Sequence, residues 1–323
     1  MTALEQINLL KQKMQASIIG QEDVIDRLLI GLLANGNILL EGLPGLAKTR
    51  AVKALARNLE TDFGRIQFTP DLLPADVTGS EIYHSTDDGG LFKFDPGPIF
   101  GNIILGDEIN RAPAKVQSAM LEAMEERQVT VAGNTHKMPD LFMVLATQNP
   151  IEQEGTYPLP EAQLDRFLMH VSLEYGDEAS EIEIIRLVRG EMKSSAAAAS
   201  DSEPTAQSVI FDARKEIEEI HTSEAIETYM VDLIYATRFP GRYTEELASW
   251  IEIGASPRGS LGLDICSRAH AWMQGRDFVS PDNVRAIIKD VLRHRLILSF
   301  EANADNVTAD QVIEKIVELV AAP

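Results

Sequence analysis

The sequence predicts a parallel α/β core followed by an all-α domain, on three observations. Ile38 to Leu40, after Asn37, is a short apolar run that breaks into a Gly/Pro loop and delivers Lys48 and Thr49 to the start of a helical pattern. Ile103 to Leu105 is a second apolar run, as expected for a strand covered on both faces, and it ends in Gly106-Asp107-Glu108. Beyond residue 207 the apolar residues recur at the helical period, with start signals at Ser223, Ser256-Pro257, Ser280-Pro281 and Thr308. A chain of 323 residues exceeds the size at which one core keeps growing, so two domains are expected. Composition puts the core at 1–190, a small-residue linker at 191–207 and the helical domain at 208–323.

Taken in order, Leu4, Ile7, Leu10 and Met14 mark an opening helix, and Val24, Ile25, Leu28, Leu29, Leu32 and Leu33 a second one that Asn35-Gly36 stops. The stretch Gly42-Leu43-Pro44-Gly45-Leu46-Ala47-Lys48-Thr49 then reads as a phosphate cradle of the Walker A type. Its loop glycines let backbone N–H groups converge, and the following helix adds its positive N-terminal end. Lys48 is the candidate for the β and γ phosphates and the Thr49 hydroxyl for magnesium, with Arg50 next in the same turn. Ala47 stands where the pattern has its second glycine, which is tolerable if that residue already has helical φ.

Arg65 to Thr69 is a candidate second strand, and residues 70–100 form a long Pro, Gly and Asp-rich insertion whose Phe92, Phe94 and Phe100 fit hairpin core. Asp107 and Glu108 would emerge at the carboxyl edge of the sheet, a Walker B arrangement, where Asp107 can orient magnesium and Glu108 can polarise a water. No Asn-Lys-x-Asp guanine-reading motif occurs, which favours ATP over GTP. A helix follows Ala112-Pro113, residues 128–139 read as a hairpin about Gly133-Asn134, and Leu141 to Ala146 is another buried strand. Asn149 at that strand's end fits either a γ-phosphate contact or a simple cap before Pro150. Arg166, just before the apolar run Leu168 to Leu173, fits either a surface ion pair or a contact to another subunit. Arg258 lies in the first turn of the helix that Ser256-Pro257 opens, where a cation opposes the helix dipole and so points to a nearby anion.

The net charge of −21 argues against nucleic acid as partner, and one cysteine, Cys266, permits no internal disulfide and suggests a reducing compartment. No basic and apolar leader opens the sequence and no apolar run is long enough to cross a bilayer, so a cytoplasmic protein is expected.

Several of these segments together resemble the MoxR family of AAA+ ATPases: Gly42 to Thr49, Asp107 to Lys115, Leu121 to Thr130, Ala146 to Pro150, Leu159 to Phe167 and Gly254 to Arg258. The resemblance implies a P-loop NTPase core with an all-α lid, ATP and Mg2+ as ligands, and Ala47 as an ordinary variation. It implies that Ile19 and Gly20 line the adenine pocket, Asn149 is the first sensor, Arg166 is an arginine finger for a neighbouring subunit, and Arg258 is a second sensor on its own subunit's nucleotide. Residues 70–100 would be the helix-two insert and 128–139 the pre-sensor hairpin. It further implies a homo-hexameric ring with chaperone-like action on protein clients, von Willebrand factor A-type domain proteins foremost, in maturation or metal insertion. A magnesium-chelatase-like motor and a nucleic-acid-dependent ATPase are the alternatives.

Overall fold

The computed structural model describes residues 1–43, 48–86, 89–150, 155–193 and 203–323. Helices α1 (Ala3–Gln15) and α2 (Glu22–Leu33) come first. Thr2 and Glu5 cap α1 reciprocally, and the apolar stripes expected on both helices are buried. Asn35 ends α2 in a left-handed conformation at φ 54°.

The core continues with β1 (Ile38–Gly42), α3 (Lys48–Arg57), β2 (Phe63–Gln67), α4 (Pro74–Thr78), β3 (Gly79–Thr86), β4 (Gly89–Pro96), β5 (Ile103–Asp107) and α5 (Ala114–Glu126). It closes with β6 (Gln128–Val131), β7 (Asn134–Lys137), β8 (Met143–Gln148), α6 (Glu161–Leu164), β9 (Met169–Leu173) and α7 (Glu178–Lys193). Five strands form one parallel sheet in the order β2-β5-β8-β1-β9. From β1 the chain crosses to the far strand β2 and returns strand by strand to β8, then passes β1 to add β9. The carboxyl ends of β1 and β8 therefore flank the point where the winding reverses, the usual ligand crevice of open α/β sheets.

Side-chain alternation along β1 splits the core in two. Ile38 and Leu40 join α1, α2 and α3 on one face, while Leu39 joins Phe68, Val116, Met120, Phe142 and Phe167 on the other. Gly106 belongs to the second face, where a Cβ would come within 2.9 Å of the Met120 side chain, so glycine lets α5 lie close on β5.

Several boundaries differ from the sequence reading: the strand expected at Leu141 to Ala146 runs from Met143 to Gln148, and α7 continues to Lys193, into the expected linker. The second strand starts two residues early, at Phe63, because its pairing with β5 runs from Phe63↔Ile103 to Gln67↔Asp107, and Phe68 turns into the core. The tight turn of the 128–139 hairpin falls on Ala132 and Gly133, at φ 48° and 85°, so Asn134 already belongs to β7. In the insertion, β3 and β4 form an antiparallel hairpin. Phe94 stacks on His136 of β7 at 3.8 Å and Phe100 meets Phe94 edge-on at 5.5 Å, whereas Phe92 is 64% exposed beside Tyr83.

The helical part comprises α8 (Gln207–Glu218), α9 (Glu224–Arg238), α10 (Glu245–Trp250), β10 (Ile251–Ile253), α11 (Pro257–Met273), α12 (Pro281–Leu292), β11 (Ile297–Leu298), α13 (Phe300–Ala304) and α14 (Ala309–Leu319). Ser223, Ser256, Ser280 and Thr308 cap their helices as expected. Of the expected linker, residues 194–202 lie outside the described residues. The lid is not separate in packing: α8, α11 and α12 share one hydrophobic cluster with α1, α2 and β9. No described helix is long and apolar enough to cross a membrane.

Candidate functional site

Two strand ends converge on one lysine. Lys48, first residue of α3, donates from Nζ to the carbonyls of Gly42 at 2.6 Å and Gln148 at 3.1 Å, the last residues of β1 and β8. Its ammonium thus sits at the carboxyl edge of the sheet, beside the helix N-terminus where phosphate oxygens are favoured. Thr49 and Arg50 follow in the same turn, and Arg50 donates to the Ser17 carbonyl at 2.7 Å. Gly42 and Leu43 lead into the loop; Pro44, Gly45, Leu46 and Ala47 lie outside the described residues.

Thr147 of β8 organises the adjacent carboxylates. Its hydroxyl donates to Asp107 Oδ1 at 2.7 Å and accepts from the Glu108 N–H at 2.9 Å. Asp107 Oδ2 takes Arg65 of β2 at 2.7 Å. Glu108 stands in the left-handed region at φ 60°, a conformation that costs a glutamate about 1 kcal/mol and is held by that backbone bond. The turn directs the Glu108 side chain away from the strand, where Gln67 and Arg111 each reach Oε2 at 3.1 Å. Asn149 is buried next to Gln148, and so next to Lys48. The hard oxygens of Thr49 and Asp107 suit magnesium, which would neutralise phosphate charge when bound, the rest of its shell coming from water and phosphate.

Ile19 and Gly20 lie in the turn between α1 and α2. Gly20 has φ +71° and a Cβ on it would meet Ser180 of α7 at 2.7 Å, while Gln21 donates to the Glu174 carbonyl at 2.9 Å. This turn is therefore bracketed by the Arg50 bond from the first turn of α3 and by the start of α7.

The two arginines are elsewhere. Leu168 N–H donates to Asn37 O at 2.8 Å, and Arg127, directly after α5, donates to Asn35 O at 2.9 Å and to Phe142 O. These contacts fix the 165–168 loop and the end of α5 at the amino edge of the sheet, roughly 16 Å, one five-residue strand, from the carboxyl edge. Arg166 pairs there with Glu125 at 2.9 Å and donates to Leu121 O at 3.1 Å. Arg258 pairs with the same Glu125 and lies 3.4 Å from Asp165. The sequence reading put Arg258 over its own subunit's nucleotide; the lid instead packs behind the sheet and delivers it beside Arg166.

Sequence reasoning missed Arg65, Gln67, Thr147, Glu125, Asp165 and Arg295 as site-shaping residues. Thr147 alone had a signal, a hydroxyl interrupting an apolar strand at its carboxyl end; the others depend on contacts between distant segments.

A candidate phosphate loop following the second strand from one edge, paired carboxylates two strands away and a helical lid define an ATPase of the AAA class. The profile of the ATPase family associated with various cellular activities (AAA) matches residues 37–169, and that of the AAA lid domain residues 247–316. The chain is 45% identical to the chaperone MoxR1 of Mycobacterium tuberculosis over 95% of its own length and 79% of that protein's. It is 31% identical to the protein MoxR of Methylorubrum extorquens over 97% and 94% of the two lengths. The crystal structure of a candidate ATPase from Cytophaga hutchinsonii matches with a TM-score of 0.90 at 43% identity, covering 99% of this chain and 96% of that one. The chain belongs to the MoxR family of AAA+ ATPases.

Proposed function

We propose that this ATPase works as a hexameric ring that couples ATP hydrolysis to the remodelling of protein clients, von Willebrand factor A-type domain proteins foremost, in the cytoplasm. One observation supports the ring above all. Lys48, Asp107 and Glu108 gather at the carboxyl edge of the sheet while Arg166 and Arg258 gather at the amino edge. A full set of charges around one nucleotide then requires two copies arranged head to tail, a geometry that closes into rings.

In this reading Lys48 and the N–H groups opening α3 hold the phosphates, and Thr49 and Asp107 hold Mg2+. Glu108 aims the attacking water, and Asn149 orients the same water or the γ phosphate. Ile19 and Gly20 cover the adenine. Arg166, with Arg258 beside it, reaches the γ phosphate of the neighbouring subunit and stabilises charge that develops there.

The test is capture. Glu108→Gln loaded with ATP is the bait and Lys48→Ala the control. Recovery of an A-type domain protein with the first alone supports the reading. Recovery of nucleic acid, or of tetrapyrrole-binding chelatase subunits, would replace it with the corresponding alternative.

A further inference from the structure

Arg293-His294-Arg295, a short basic run after α12, turns into the protein and grips the loop that carries Arg166. The Arg295 side chain is only 2% exposed. Its Nε donates to Asp165 Oδ1 at 3.0 Å. Nη1 donates to Leu168 O at 3.1 Å and to Val291 O, and Nη2 to Phe167 O at 2.7 Å and Asp165 O at 3.2 Å. All but the Val291 contact fall on residues 165–168. His294 holds the same segment, with Nε2 3.0 Å from Phe167 O, and Arg293 bonds the strand that follows it, donating to His170 O of β9 at 2.6 Å.

Asp165 in turn faces the lid helix that bears Arg258. It accepts from the Ser256 hydroxyl at 3.0 and 2.9 Å on its two oxygens, and lies 3.4 Å from Arg258 Nη1. Ser256 is the N-cap of α11, so the start of that helix and the Arg166 loop are pinned to one carboxylate.

A buried cation costs much desolvation and is retained where its full donor set is used. The planar guanidinium meets the Asp165 carboxylate and three carbonyls of one loop in fixed directions, which an ammonium cannot reproduce. We propose that Arg295 is a positioning residue: through Asp165 and the carbonyls of Phe167 and Leu168 it locks lid to core, so that Arg166 and Arg258 are presented to the neighbouring subunit as one unit. The inference rests on the reading of Arg166 as acting on a neighbour's nucleotide.

Subunit mixing tests it. Arg295→Lys keeps the charge and loses the fork; it should bind the fluorescent analogue mant-ATP as the parent does while turnover falls on the order of 100-fold, the scale of an ångström-size misplacement. Lys48→Ala subunits have a disabled phosphate loop but intact arginines. Added to Arg295→Lys subunits, they should restore turnover roughly tenfold or more above either variant alone. Asp165→Asn, which still accepts from Arg295 but loses its anion towards Arg258, should be rescued in the same way and serves if Arg295→Lys does not fold.

Arg166→Ala mixed with Lys48→Ala is the reference. Rescue there without rescue of the Arg295 or Asp165 variant overturns the positioning role and leaves the finger reading standing. Rescue in neither removes both. Parental turnover in folded Arg295→Lys and Asp165→Asn also overturns the proposal.

Discussion

Arg166 Nη1 lies 2.9 Å from Glu125 Oε2. The other oxygen of that carboxylate takes Arg258, so one acid at the end of α5 neutralises both candidate interface cations. The side chains are 33%, 34% and 46% exposed for Arg166, Glu125 and Arg258, and ion pairs so exposed contribute at most about 1 kcal/mol each. Such a pair exchanges readily for a phosphate. Glu125→Gln should leave the unfolding free energy within about 1 kcal/mol of the parent. With Arg166 freed of its carboxylate and Arg258 left only the longer contact to Asp165, ATPase activity should appear at lower protein concentration, which a titration of specific activity against concentration would read directly.

Glu108→Gln should keep ATP bound while turnover falls by roughly 10²- to 10⁴-fold, the usual span for removing a positioned base. Lys48→Ala should instead weaken binding itself. Isothermal titration beside a phosphate-release assay separates the two, and equal affinity of Lys48→Ala and the parent would refute the phosphate-loop assignment.

Arg166→Ala should retain ATP affinity and assembly while losing on the order of 10³-fold in turnover, the scale of an arginine finger. Normal turnover at full assembly, checked by light scattering on the assayed sample, would sink the assignment.

Thr147→Val is nearly isosteric yet removes a donor to Asp107 and the acceptor for the Glu108 N–H. The loss should be about 1–3 kcal/mol in stability, seen as a lower urea midpoint. Turnover should fall with it and the Mg2+ concentration for half-maximal activity should rise, since Asp107 is then held by Arg65 alone among the contacts described here.

Burial, with the Arg295 guanidinium nearby, pushes the His294 imidazolium well below its ordinary 6.5. The folded protein therefore binds fewer protons at this site than the unfolded chain. Stability should be level above pH 7 and fall as pH drops below 6.5, by up to about 1.4 kcal/mol per pH unit from this residue. Denaturant midpoints between pH 5 and 8 would show it, and His294→Gln should flatten the slope.

The sequence by itself determined where the candidate phosphate and metal residues stand. Lys48, Thr49, Asp107, Glu108 and Asn149 each follow a contiguous apolar run, and a strand ending in a loop positions the next few side chains locally, so their convergence at one sheet edge followed from parallel strands. The helix caps at Ser223, Ser256, Ser280 and Thr308 were legible for the same reason: a cap bonds within three residues. Only the tertiary structure decided which edge each arginine occupies. Glu125, Asp165, Arg258 and Arg295 meet from four separate segments with no spacing to announce it, and the lid's docking on α1, α2 and β9 was hidden because helix periodicity marks a buried face without naming the face that covers it. That docking carries Arg258 to the amino edge beside Arg166, a strand's length from its own chain's Lys48.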